Sequence, residues 1–241
     1  MASILKFAYK LLFLQTIVTI SQLASSLSIG SKKLIDGSTA QEDHRRWPGG
    51  TVPYTFSSDS VYTQLQLKEI RDAMEYIEKR SCVRFVLKKA TDVDFLVITE
   101  PGDDCASEVG RQGGSQKVLL DKKQCLTKGK ILHELMHTLG FIHEHSRIDR
   151  DQFVEIDWSN IDDDSEMNFK VHNSYLSFYV NETYDYESVM HYDAWAFALD
   201  FSLPTIRPLK SNINLENLGK GRRVGFLTNS DIRKLNKYYK C

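Results

Sequence analysis

The chain has four cysteines and no Cys-x-x-Cys pair, so the spacing that supports thiol redox chemistry is missing. Neither sign of charge dominates. Lysine and arginine number 31 against 32 for aspartate and glutamate, and without a global field neither nucleic acid nor an anionic membrane is marked out as a partner. After residue 20, no apolar stretch approaches the roughly 20 residues that a bilayer-spanning helix needs. No internal repeat or low-complexity tract divides the 241 residues into an array. Specificity therefore has to come from a localised site.

With 41% hydrophobic and 26% charged residues, the chain can bury one substantial core or two small lobes sharing a cleft. Residues 1–26 stand apart from that fold. Lys6 and Lys10 precede the apolar run Leu11–Ile20, and Ala24 and Ser26 hold the two small-residue positions for cleavage before Leu27, which is the layout of a secretory signal peptide. The run contains Gln15 and is about half the length of a spanning helix, which argues against stable membrane insertion. Secretion places Cys82, Cys105, Cys125 and Cys241 in an oxidising compartment, where an even set forms disulfides. Parity alone leaves their pairing open. In the same setting, Asn181 of Asn-Glu-Thr is an acceptor for N-glycosylation.

Thr51–Phe56, Cys82–Leu87, Phe95–Thr99 and Val118–Leu120 read as short strands, while Leu67, Ile70, Met74 and Ile77 recur at helical spacing. The first half is thus α+β. Residues 101–116 are rich in Gly, Asp and Ser and read as loop. From Asp149 to Arg223 periodicity fades into polar segments with aromatic clusters, predicting an irregular second lobe closed by a helix over Asp231–Tyr239.

The segment HELMHTLGFIHEH, residues 133–145, concentrates four histidines and two glutamates. Positions four apart share a helix face, so His133 and His137 can point at one atom. Glu134 is offset by about a third of a turn, beside a metal held there but free to act as a base. Gly140 can adopt the left-handed conformation that ends a helix, returning His143 as a third ligand. Three neutral imidazoles with an open fourth position describe a catalytic zinc site. A bare HExxH recurs by chance, whereas HExxHxxGxxH fixes five identities at spacings suited to a helix and a sharp turn. His145 lies outside that spacing and acquires no role.

HELMHTLGFIHEHSRIDRD, with SVMHYD at Ser188–Asp193, resembles the signature of the astacin metallopeptidases within the metzincin group. RWPGGTVPYTF, CVRF and CASEVGRQGGSQKVLL extend the resemblance from Arg46 to Cys241. It implies a two-lobed zincin-like fold with a twisted sheet and two long helices in the first lobe, and a catalytic domain over residues 38–241. It also implies a zinc endopeptidase, one Zn2+ per chain, acting on proteins or peptides, with Glu134 as general base and acid. In the family, a tyrosine equivalent to Tyr192 ligates zinc and swings away to stabilise the transition state, and Met190 forms a floor beneath the metal. The family pairing is Cys82 with Cys241 and Cys105 with Cys125, and a trimmed N-terminus is buried near Glu144. Arg222 and Arg223, with Lys220 nearby, are candidates for a pocket that takes an acidic side chain after the scissile bond.

The departure is at the N-terminus. Family propeptides place an aspartate on the zinc, but Leu34–Ser38 sets Asp36 before the glycine rather than after it. Three readings stay open: a short pro-segment over 27–37, a missing latency device, or a gene start that lies elsewhere. With Cys241 the last residue of the sequence, no EGF-like or CUB-like segment is expected to contribute to partner choice. The alternative function is a catalytically silent secreted zinc protein that binds matrix or cell surfaces. The retention of all three histidines and Glu134 weighs against it.

Overall fold

In the computed structural model the described residues are 44–100, 102–172 and 182–241. The signal segment, the 27–37 segment and Asn181 lie outside them. Among the described residues, no helix is long and apolar enough to cross a membrane.

The helical spacing of Ile70, Met74 and Ile77 places them on the inner face of α1 (Gln64–Glu78). All three are buried, each worth roughly 1.5–3 kcal/mol when taken from water. Thr63 starts the helix with a capping box: its hydroxyl accepts from Gln66 N while the Gln66 side chain accepts from Thr63 N. That satisfies two backbone donors that the helix cannot.

α1 packs near a five-stranded sheet built from β1 (Thr51–Phe56), β2 (Arg84–Leu87), β3 (Phe95–Thr99), β4 (Cys105–Ser107) and β5 (Ser115–Leu120). The order is β2-β1-β3-β5-β4, with parallel pairing except between β4 and β5. Residues 101–116, read as loop, therefore contain an antiparallel edge strand and the first residues of β5. Their Gly- and Asp-rich composition carries little strand propensity, and β4 exists because β5 offers it a free row of backbone groups.

α2 (Lys128–Thr138) follows the sheet and is buried on nearly every side. Its end is a Schellman turn: Gly140 takes φ +103°, Gly140 N donates to His137 O at 2.8 Å and Phe141 N to Met136 O at 3.1 Å. Two further terminal carbonyls are capped from distant segments, Thr138 O by Trp47 Nε1 at 2.8 Å and Leu139 O by the Tyr239 hydroxyl at 3.1 Å. A buried helix end needs such partners.

Between residues 146 and 219, short 3-10 turns replace longer elements, and the only paired strands among the described residues there are β6 (Val154–Ile156) and β7 (Ile206–Pro208). Two hydrophobic clusters result. One unites the sheet, α1, α2 and the last helix, and includes Met190; the other gathers Val154, Ile161, Phe169, Ile206 and Tyr192. The chain thus crosses from one core to the other within the stretch Met190–Tyr192, giving the α+β, two-core arrangement. α3 (Lys220–Val224) and α4 (Asn229–Tyr239) bring the chain back to the first core. Two disulfides are formed, Cys82–Cys241 and Cys105–Cys125. The first closes a sequence separation of 159 residues and ties the end of α4 to the residues before β2.

Candidate metal centre and cleft

His133 and His137 leave α2 from one face, and the glycine turn brings His143 to meet them. Their Nε2 atoms form a nearly equilateral triangle with sides of 3.1, 3.2 and 3.2 Å. His133 Nδ1 lies 2.8 Å from Val189 O, and His137 Nδ1 lies 2.7 Å from Phe141 O. A carbonyl can only accept, so both Nδ1 atoms carry the proton and both Nε2 lone pairs point inward. Converging lone pairs repel unless a cation lies among them. A point about 2.0–2.1 Å from all three nitrogens, the length of a Zn–N bond, sits roughly 1 Å off the plane of the triangle. The three histidines are therefore positioned to hold a metal ion.

Burial keeps these imidazoles neutral, the form that binds metal. His137 is lowered to about 4, chiefly by desolvation. His133 and His143 are driven well below their ordinary value by desolvation, with His137 adding to the effect.

The triad opens onto a cleft of about 970 Å³ that also exposes Glu134, Ser107, Tyr192, Phe197 and Arg222. Burial lifts the Glu134 carboxyl to about 7, against a lowering hydrogen bond from Ser107. The Ser107 hydroxyl lies 2.9 Å from Glu134 Oε2 and 2.9 Å from Glu134 O. Edge strand β4 therefore orients the carboxylate.

Tyr192 occupies an aromatic slot: its ring centre is 4.1 Å from His145, 4.5 Å from His143, 5.6 Å from Phe197 and 5.8 Å from Phe169. Burial raises its hydroxyl to about 12, so it remains a donor. His145, which acquired no role from the sequence, is fully buried, with its ring tilted by 30° against this one. Phe197, at the rim, has φ +56°, a strained conformation for a bulky residue.

Met190 is buried in the first core. Glu144 is buried and its charge is met inside the protein, where Lys234 Nζ lies 2.7 Å from both carboxylate oxygens and Arg147 Nη1 lies 2.9 Å from Oε1. The N-terminus expected near it lies outside the described residues.

The three basic residues of the 219–226 segment separate. Arg222 lines the cleft, Arg223 is exposed and turned toward Glu216, and Lys220 faces Glu187 at 3.8 Å. The position of α3 depends on Gly129 in α2, where a Cβ would lie 1.8 Å from Arg222 O. Ser107, His145, Lys234 and Gly129 all escaped the sequence reading. The helix expected over Asp231–Tyr239 begins two residues earlier, at Asn229, behind a capping box between Thr228 and Asp231 that the sequence analysis did not identify.

A model of the peptidase family described as Astacin matches residues 39–240. Zinc metalloproteinase nas-13 of Caenorhabditis elegans is 39% identical over 207 residues, covering 86% of this chain but 44% of that protein. Seminal metalloprotease 1 of Drosophila melanogaster is 40% identical over 204 residues, covering 81% of this chain and 78% of its own. The chain thus spans about half the length of one of these curated relatives and most of the other. Among solved structures, high choriolytic enzyme 1, a hatching-enzyme zinc protease of the medaka fish Oryzias latipes, superposes with a TM-score of 0.72 at 34% identity, covering 81% of this chain and 93% of that one. The match runs through the sheet, the histidine-bearing helix and the irregular second core alike, and the chain belongs to the astacin family of peptidases.

Proposed function

We propose that this chain is a secreted, zinc-dependent endopeptidase whose catalytic domain spans residues 38–241, with His133, His137 and His143 holding one zinc ion. The observation that carries the reading is the convergence of three inward-pointing Nε2 atoms beside a buried carboxylate in an open cleft. When bound, zinc supplies a Lewis acid that brings the pKa of a water to about 7 and polarises a peptide carbonyl.

Glu134 accepts a proton from the attacking water and returns it to the leaving amine nitrogen. Its raised value near 7 suits both halves of that task, although a nearby cation favours the carboxylate. Ser107 holds the carboxylate in place through Oε2. The protonated hydroxyl of Tyr192 donates to the oxygen on which negative charge develops. Protein or peptide chains are the substrates, and Arg222 in the cleft favours an acidic side chain after the scissile bond, because a guanidinium pairs with a carboxylate in two parallel bonds.

Secretion is supported by the signal-like segment 1–26 and by two disulfides. The test is digestion of an unfolded protein with zinc measured by elemental analysis. Glu134→Ala is expected to retain about one zinc per chain and lose digestion, and His143→Ala to lose both. Full zinc occupancy in His143→Ala, or digestion by Glu134→Ala, overturns the assignment.

A further inference from the structure

The last helix, α4, carries none of the three histidines, yet two of its side chains reach the triad by separate routes. Asp231 is buried and accepts three hydrogen bonds, from the Ser188 hydroxyl at 2.5 Å, from Val189 N at 3.1 Å and from Thr228 N at 3.0 Å. Only the last is needed to cap its own helix. Having given its hydrogen to Asp231, the Ser188 hydroxyl accepts from Met190 N at 3.0 Å. The other end of that same peptide unit, Val189 O, accepts from His133 Nδ1 at 2.8 Å. The Val189–Met190 peptide is therefore gripped at both ends, and an unbroken chain runs from a carboxylate through a hydroxyl and one peptide to the first histidine.

The second route begins one turn further along α4, since residues three apart share a helix face. Lys234 Nζ lies 2.7 Å from each oxygen of Glu144, and both side chains are almost wholly buried. Glu144 follows His143 directly, and its backbone N donates to Met190 O at 2.9 Å. It also accepts from Asp185 N at 3.0 Å and from Arg147 Nη1 at 2.9 Å. Lys234 thus fixes the residue that directly follows His143, against the stretch of chain that holds His133. A buried carboxylate is costly without a cation beside it, so this arrangement of the third histidine depends on cations at Glu144.

We propose that Asp231 and Lys234 are positioning residues for the metal site, Asp231 orienting the His133 ring through Ser188 and the Val189–Met190 peptide, and Lys234 orienting His143 through Glu144. The proposal rests on the reading of His133, His137 and His143 as zinc ligands. Partners beyond the ligands typically change metal affinity 10–100-fold when removed. Hydrogen bonds in series also polarise one another, so an anion at the far end makes His133 Nε2 a better donor to the metal.

The experiment compares the full chain with Asp231→Asn, Ser188→Ala, Lys234→Met and Lys234→Arg. Zinc affinity is measured by chelator competition, and the visible absorption of the cobalt-substituted protein reports ligand geometry. Thermal unfolding of the metal-free forms reads simple destabilisation separately. Asp231→Asn, Ser188→Ala and Lys234→Met are expected to weaken zinc binding about 10-fold or more and to shift the cobalt bands. Lys234→Arg, which keeps the cation, is expected to recover most of the affinity. Should Asp231→Asn not fold, Ser188→Ala removes the same chain at its hydroxyl. Affinities within about twofold of the parent and unchanged cobalt bands, even with lowered unfolding temperatures, make both residues merely structural and overturn the proposal. Absence of zinc binding by the parent protein instead defeats the ligand assignment itself.

Discussion

Gly129 offers a perturbation whose sign separates two physical effects. It lies in the first turn of α2, and glycine-to-alanine replacement in a helix favours folding by at most about 1 kcal/mol. Packing opposes that gain. The new Cβ would sit 1.8 Å from Arg222 O and 2.6 Å from Arg222 C, and Cβ contacts essentially never fall under 3.0 Å. Both sides of the contact are backbone, so no side chain can rotate away and α2 and α3 must part by about 1.2 Å in a close-packed interior. An overlap this deep belongs at the upper end of the about 1–3 kcal/mol that overpacking costs, so after the helix-propensity gain the expected net change is a loss of about 2 kcal/mol. In a domain of this size that lowers the unfolding temperature by about 4–8 °C.

The loss should not stop at stability. α2 carries His133, His137 and Glu134, while α3 carries Arg222, and a shift near 1 Å can cost about 100-fold in rate. The control is Gly113→Ala, where φ is +87° and nothing lies within 4 Å of the added carbon. There the left-handed backbone alone should cost about 1–2 kcal/mol, with kcat/KM unchanged. Calorimetry and peptide hydrolysis on both variants decide the matter. A Gly129→Ala protein as stable as the parent, or more so, would show that α2 and α3 are not held at this contact and refute the reasoning.

Tyr192→Phe should keep its zinc and lower kcat about 100-fold while KM moves little, because loss of a donor is felt mainly where charge develops; a change confined to KM would make Tyr192 a substrate-binding residue. Arg222→Ala should reduce any preference for Asp or Glu after the scissile bond about tenfold, equivalent to about 1.4 kcal/mol, whereas Arg223→Ala should leave it intact. Cleavage-site profiling on a denatured proteome reads both, and an unchanged preference in Arg222→Ala would contradict the pocket assignment. Burial, reinforced by the neighbouring Asp231 charge, raises Asp185 from 3.8 to about 6. A carboxyl raised in the folded state contributes stability at low pH that is lost as the pH climbs through that window. Urea unfolding at several pH values should therefore show a decline between about pH 4 and 6 that Asp185→Asn flattens; an identical slope in the variant would place the titration elsewhere.

The metal triad was legible in the sequence because its geometry is local. Helix pitch relates His133 to His137, and a single residue type able to take positive φ, Gly140, returns His143. The residues around α1 were equally plain, since one buried stripe imposes its period on the chain. The groups that complete the site come from far away. Ser107 meets Glu134 across 27 positions, Asp231 meets Ser188 across 43, and Lys234 meets Glu144 across 90. Each reads locally as an ordinary polar residue. No periodicity announces such a pair, because the favourable energy appears only once both partners are buried together and have no water to turn to. Strand β4 belongs with them: its three residues became a strand by pairing with β5, against their own composition. Arg222 and Arg223 sit side by side in the sequence, but α3 presents the first to the cleft and turns the second toward Glu216. Local stereochemistry was sufficient to bring the three histidines together, whereas long-range burial decided which polar groups surround them and which arginine lines the cleft.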